Sequence, residues 1–303
     1  MRRIDFVTLK LFVTIADERN LTRAAEREHL ALAAVSKRVS DLEAELGIAL
    51  LYRKPKGVEL TPAGHALLHH ARKMLDNLRH LSADLSEFSE GVKGHVRIHA
   101  NTSAVIGFLP EDLSTFGRAH PGVKVDLEER ISSETVRAVN EGLTDIGIFA
   151  GHVPFGNLQV FSYRHDQLVL VTPRDHPLAG RDCLALSDAI RYDFIGLQQD
   201  ASLHQLLVRS AQQMGLSLRL RVQVRSFEGI CRMIHTGMGI GVLPENAVRT
   251  YLPTLDVAVI PLTDAWARRE LLVGVLNVES LSVTARQMLE HLIRHRKTPP
   301  CAQ

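Results

Sequence analysis

A chain of 303 residues, 45 % hydrophobic and 23 % charged, has room for two or three domains and a large buried core. Its formal charge of +2 excludes a globally basic nucleic-acid binder, so any DNA-facing surface must be local. Cys183, Cys231 and Cys301 lie far apart without a CxxC pair, and no apolar run reaches the roughly 18 residues of a membrane helix, which argues against a zinc site, a disulfide framework and a membrane anchor.

The opening MRRIDFVTLKLFVTIADERN has Asp5, Lys10 and Asp17 inside its apolar run and no small-residue cleavage site, so a reduced, cytoplasmic protein is expected. Leu9, Phe12, Val13 and Ala16 mark one face of an amphipathic helix. Thr22 is the expected N-cap of a short second helix with Ala24 and Ala25 inward. A third helix turns Val35, Val39, Leu42 and Leu46 inward and stops at Gly47. LLYRKPKGVELTPAG then reads as two short strands around a basic turn, followed by Thr61 as a cap and Pro62 at the first position of a new helix. Three helices and a basic two-stranded wing make a winged helix-turn-helix.

From Thr61 to about Ser89, Leu67, Ala71, Met74, Leu78, Leu81, Leu85 and Phe88 alternate spacings of four and three, a heptad seam. A dimerising linker helix is predicted, with a helix packed in its own domain as the alternative. After Gly94 the chain alternates strands and helices. HVRIHA, VKVDLEE and DIGIFA read as strands separated by a helical stretch over Ser103–Arg118 and a helix carrying Val136, Val139 and Leu143. QLVLVTP, FIGL, LRVQV and GIGVLP continue as strands, with helices near Leu186–Ile190, Leu203–Met214 and Phe227–His235. RRELLVGVLN is a further strand and Ser282–Arg296 a final helix. The rhythm predicts two α/β units on a mostly parallel sheet, with a ligand at the carboxyl ends of the strands.

These stretches resemble the LysR-type transcriptional regulators over essentially the whole chain. The resemblance rests on AAEREHLALAAVSKRVSDLEAELGIALLYRKPKGVELTPAG, the heptad helix, HVRIHANTSA, GLTDIGIFAG and IHTGMGIGVLPE. It implies an α/β protein with an N-terminal winged helix-turn-helix (1–60), a long linker helix (61–90) and a two-lobed effector domain like periplasmic binding proteins (91–303). The lobes would be 92–162 with 268–298, and 163–267. Its partners would be double-stranded promoter DNA, a small organic effector (carboxylated in one form), its own copies in a dimer or tetramer, and RNA polymerase, with no cofactor and no membrane. Two departures stand out. The family often has Ser and Gln where this chain has Ala31 and Leu32, and an apolar residue where it has Glu28.

Base edges are read by hydrogen bonds or by apolar contact with the thymine methyl. Leu32, Ala33 and Ala34 are candidates for the apolar kind, and Ser36, Lys37 and Arg38 for bases or phosphates. Arg23 and the wing's Arg53, Lys54 and Lys56 are candidate phosphate contacts. For each lone cation the alternative is a solvated surface charge.

The expected effector cleft draws on Asn101, Thr102 and Ser103, on Ser132 and Ser133, and on Gly151 from the first lobe. The second lobe would supply Leu197, Gln198, Gln199, Ser202, Ser226 and Phe227, with Arg225 a carboxylate partner if it does not turn outward. As a set they favour a small polar or carboxylated molecule with an apolar portion. Ordinary loop capping is the alternative for each. Enzyme readings fare poorly: GMGIGVLP has Pro244 where GxGxxG needs its third glycine, and neither a GxxxxGK[ST] loop nor a GxSxG elbow occurs. His65/His69 and His291/His295 lack the HExxH glutamate. A small-molecule-binding protein whose N-terminal helices only oligomerise is the remaining alternative.

Overall fold

The computed structural model describes residues 5–54, 57–90 and 94–294. It divides into two compact units, 1–90 and 91–303.

In the first unit, Asp5 caps α1 (Phe6–Glu18) by accepting from the Thr8 amide at 2.8 Å. The cap of α2 (Leu21–Arg27) is Asn20 and not Thr22: its Oδ1 accepts from Thr22 N and Arg23 N at 2.9 and 3.2 Å. Both residue types cap well, but Asn20 holds the extended cap position just before the helix and takes both orphan donors, while Thr22 lies inside it. The third helix, α3 (Leu32–Leu46), has no side-chain cap at Ala31 and ends on Gly47 at φ 71°. Strands β1 (Leu51–Lys54) and β2 (Gly57–Leu60) pair antiparallel as the wing. Gly57 is required there, because a Cβ would stand 2.4 Å from the Arg19 carbonyl oxygen, the acceptor of Val58 N. Leu11, Phe12, Ile15, Ala24, Ala25, Val35, Val39 and Leu42 close the core under the wing.

Thr61 accepts from Gly64 N at 3.0 Å and opens α4 (Pro62–Glu90). Leu67 packs on this core and Ala71 is buried, so the first turns serve the helix's own unit. Met74, Leu78 and Leu81 are instead 51 %, 37 % and 53 % exposed, a greasy stripe on the helix surface. The side chains of Leu85 and Phe88 lie outside the described residues.

The second unit opens with β3 (His95–Ala100), α5 (Thr102–Gly107) and α6 (Leu109–Ala119). The stretch expected as one helix is therefore two. It breaks at Phe108, which leaves helical geometry, and Pro110 lies within the first turn of the new helix, where its missing N–H costs nothing. Next come β4 (Lys124–Glu129), α7 (Ser132–Asn140), β5 (Ile146–Ala150) and β6 (Gln159–Pro173). Then follow α8 (Leu186–Ala189), β7 (Asp193–Leu197), α9 (Ser202–Gln213), β8 (Arg219–Val224) and α10 (Phe227–His235). The chain ends through β9 (Gly241–Pro244), α11 (Glu245–Arg249), β10 (Val257–Pro261), β11 (Arg268–Val275) and α12 (Val283–Arg294).

The sheet is mixed rather than mostly parallel. Strands β3, β4 and β5 pair parallel, as do β7 and β8, but β11 runs antiparallel to β5 and β6, and β9 and β10 run antiparallel to β6. Hydrophobic runs do not reveal strand direction, which is why the sequence misjudged it. The expected strand QLVLVTP is only the second half of β6. Its first half pairs with β11 up to Gln167; from Leu168 it pairs with β9 and β10. Tyr163 thus belongs to one buried core and Leu168–Val171 to another, so β6 and β11 join two lobes.

Candidate DNA-reading surface and effector cleft

The first turn of α3 presents Leu32, Ala33 and Ala34 to solvent, with Lys37 and Arg38 exposed beside them and Ser36 half-buried. Val35 and Val39 face the core, so the helix register alone turns these residues outward. The Arg53 guanidinium reaches from β1 over α3, donating to Ser40 Oγ at 2.9 Å and Ser36 Oγ at 3.4 Å. Glu43 accepts from Leu50 N and Leu51 N at 2.7 and 3.1 Å, a second tie between α3 and the wing. Ser40 was not singled out in the sequence, although it lies one turn beyond Ser36 on the same face.

Several expected phosphate contacts already hold carboxylates. Lys54 Nζ lies 2.6 Å from Glu59, Arg38 4.0 Å from Asp5, and Arg23 3.9 Å from the Glu18 carboxylate while donating to its carbonyl at 2.7 Å. Lys56 lies outside the described residues. Glu28, the polar departure, is well housed: it accepts from Lys10 Nζ and Thr14 Oγ1, each at 2.8 Å, bridging α1 and the end of α2. The Lys10 bond is the main reason its carboxyl is held below the ordinary value.

In the second unit, Asn101 ends β3 and caps α5, its Oδ1 accepting from Ala104 N at 3.0 Å and its Nδ2 donating to Ser132 Oγ at 3.2 Å. Ser132 Oγ also accepts from Ala150 N and stands 3.3 Å from Ser202 Oγ of the other lobe. His152, with burial holding its imidazole pKa down, reaches the Ser202 carbonyl at 3.2 Å. Asn101, Thr102, Ser103, Ser132, Leu197, Ser202 and Phe227 converge on one cavity of about 30 Å³, room for a single water. The two lobes are therefore closed on one another.

At the mouth, a recess of about 400 Å³ is lined by Thr102, Glu129, Arg130, Glu134, Gln198 and Arg225 among others. Arg225 is exposed just past β8 and donates to Gln198 Oε1 at 2.7 Å. Thr102 Oγ1 donates to Glu129 at 2.5 Å, and Arg130 pairs with Glu128 at 2.8 Å. Ser133 lines a neighbouring pocket of about 130 Å³ with His152 and Arg209. The remaining expected residues have local duties. Ser226 caps α10 by accepting from Gly229 N, and the Gln199 carbonyl accepts from Gln205. Gly151 donates its amide to the Glu270 carbonyl at 2.8 Å, where a Cβ would press within 3.1 Å. Arg130, Glu134, His152 and the buried Arg269 escaped the sequence: the first three lie in or beside loops and a helix end whose facing only tertiary packing sets, and strand alternation does not say that Arg269 goes inward.

Among the described residues no helix is long and apolar enough to cross a membrane. Residues 6–65 match the model of the "Bacterial regulatory helix-turn-helix protein, lysR family", and residues 89–297 that of the "LysR substrate binding domain". The "HTH-type transcriptional regulator CysL" of Bacillus subtilis is 26 % identical over 263 residues, covering 87 % of this chain and 88 % of that protein. Full-length CbnR, solved with its target DNA, superposes with a TM-score of 0.76 at 21 % identity, over 96 % of this chain and 99 % of that one. The effector-binding domain of QuiR, solved with shikimate, gives 0.60 at 16 % identity over 66 % of this chain and 96 % of its own. The match of residues 6–65 to a DNA-binding unit removes the reading in which the N-terminal helices only oligomerise. The chain belongs to the LysR family: it is a transcriptional regulator with a DNA-binding helix-turn-helix and a substrate-binding domain.

Proposed function

We propose that the closed cleft is the effector site, that α3 and the wing read promoter DNA, and that effector binding changes promoter binding or bending. The protein on this reading is no enzyme and works in the cytoplasm as a dimer or tetramer joined through α4. The observation that carries the reading is the chain of hydrogen bonds Asn101–Ser132–Ser202, which crosses from lobe to lobe at the carboxyl ends of β3 and β5. A molecule that inserts there must replace an inter-lobe bond, so it binds the open and closed arrangements differently, the condition for shifting their balance. Leu197, Leu203 and Phe227 suit an apolar portion, and the Asn and Ser groups suit a carboxylate or carbonyl. At the other end, Leu32, Ala33 and Ala34 favour methyl contact and DNA shape, while Lys37, Arg38 and Arg53 hold phosphates.

Fluorescence anisotropy with the DNA immediately upstream of the protein's own gene, beside a scrambled duplex, tests this. The full chain is expected to prefer the upstream DNA, and Lys37→Ala with Arg38→Ala to weaken binding by about tenfold or more on both duplexes. An affinity unchanged by the double substitution overturns the assignment of α3.

A further inference from the structure

Strands β6 and β11 connect the lobes, and β6 changes partners between Gln167 and Leu168. Arg269 faces Asp166 across the last pairs of the β6–β11 ladder, one step before that change. The Asp166 side chain is fully buried and that of Arg269 is 4 % exposed. Arg269 Nε and Nη2 both converge on one oxygen, Asp166 Oδ2, at 3.0 and 2.5 Å. Nη2 also donates to Ser103 Oγ at 2.6 Å, and Ser103 lines the inter-lobe cavity from the first turn of α5. Asp166 Oδ1 is buried and, among the described residues, has no hydrogen-bond partner.

We infer that Arg269 is a positioning residue that couples the cleft to the hinge, transmitting the state of the Ser103 hydroxyl to the crossover strands through Asp166. Three features carry this. An arginine and a carboxylate that pair side by side use both oxygens, whereas here the guanidinium is pulled toward Ser103 and leaves Oδ1 orphaned. Two arrangements are thus within a small rotation of one another, one holding Ser103 and one holding both oxygens of Asp166. Buried groups so placed switch between discrete states rather than deform smoothly. The Ser103 hydroxyl, accepting from Arg269, keeps its own proton to donate into the cavity. A ligand offering an acceptor oxygen, carboxylate or carbonyl, takes that proton and strengthens the Ser103–Arg269 bond; a ligand that displaces the hydroxyl releases Arg269 to Asp166. Either way the hinge senses the cleft. The ligand part of this inference rests on the cleft being the effector site; the wiring from Ser103 to the hinge does not.

Hydrogen-exchange mass spectrometry of the full chain, without DNA or ligand, tests the wiring alone, so its failure is distinct from failure of the regulatory reading. Ser103→Ala deletes one hydroxyl and leaves the Asp166–Arg269 pair in place. Exchange is expected to slow about three- to tenfold in peptides covering 164–169 and 266–271, as the released Arg269 takes both oxygens of Asp166, with β7 and β8 unchanged. Thr102→Val, which removes the neighbouring hydroxyl bound to Glu129, is the control and is expected to leave the hinge peptides as they are. Unchanged or quickened exchange in the hinge peptides, a change confined to 101–107 or spread evenly over both lobes, or an equal effect of Thr102→Val each overturns the inference.

Discussion

At Glu28 a carboxylate stands where LysR proteins often carry an apolar side chain, and the local geometry explains how it is tolerated. Lys10 and Thr14 both donate to it, so it is satisfied at the junction of α1 and α2. Because its carboxyl is held below the ordinary value, its contribution is complete above the normal carboxylate range and is lost as the pH falls through the folded value. Lys10 is largely exposed, so the contribution is modest, about 0.5–1 kcal/mol. Glu28→Gln is expected to lower the thermal midpoint of the helix-turn-helix by several degrees near neutrality, about 4–8 °C per kcal/mol for a unit of this size. The gap between the two proteins narrows as the pH falls below the ordinary carboxylate range and through the lowered folded value. Parallel melting curves at three pH values check this, and a gap independent of pH would assign the effect to shape rather than charge. The residue types of this cluster were legible in the sequence; their partnership was not, since positions 10, 14 and 28 meet only once the corner has formed.

Among the elements, the recognition helix and the wing behave as one piece. Arg53 spans to Ser36 and Ser40, and Glu43 holds the start of β1. The helices themselves were readable from periodicity, and Gly47 and Thr61 from capping chemistry, because these signals are local. What failed was mostly non-local, the full length of β6 and the direction of β9, β10 and β11; the break at Phe108 carried a local signal in Pro110 that went unused. The linker helix shows both sides of its heptad seam. Ala71 is buried in its own unit, while Met74, Leu78 and Leu81 are exposed. An apolar stripe at heptad spacing covered by a second copy is the straightforward use of such a face. Replacing Leu78 and Leu81 with Asp is expected to halve the mass seen by light scattering without melting the three-helix core. An unchanged mass would place the self-association elsewhere.

For the whole molecule, a formal charge of +2 hides a local division of labour. The cations proposed to face DNA are partly neutralised by Glu18, Asp5 and Glu59 of the same unit. A cation that keeps its own carboxylate releases fewer counterions on reaching a phosphate, so affinity falls less steeply with salt than the number of basic residues suggests. Glu59→Gln, which frees Lys54 on the wing, is expected to tighten binding at low salt. It should also steepen the logarithmic salt slope by about 0.9 per protomer. A slope that does not change removes Lys54 from the phosphate contacts. The cleft shows the same mixture of legible and hidden parts. Asn101, Ser132, Ser202 and Phe227 could be picked because they follow strands or open helices, whereas Arg269 and Asp166 sit in the middle of a ladder that only tertiary pairing defines.

The closed cleft has a kinetic consequence. If the proposed site is right, the space of about 30 Å³ between Asn101, Ser132 and Ser202 admits no organic molecule, so an effector resting in the larger recess at the mouth reaches those groups only when the lobes part. Entry then waits on spontaneous parting of the lobes, and the observed association rate should level off at high effector concentration, at the opening rate. The apparent affinity is also diluted by the open fraction: if about one molecule in a hundred stands open, it is about a hundredfold weaker than the contacts alone would provide. On that reading, substitutions that raise the open fraction would quicken the response of the promoter even where they weaken no ligand contact.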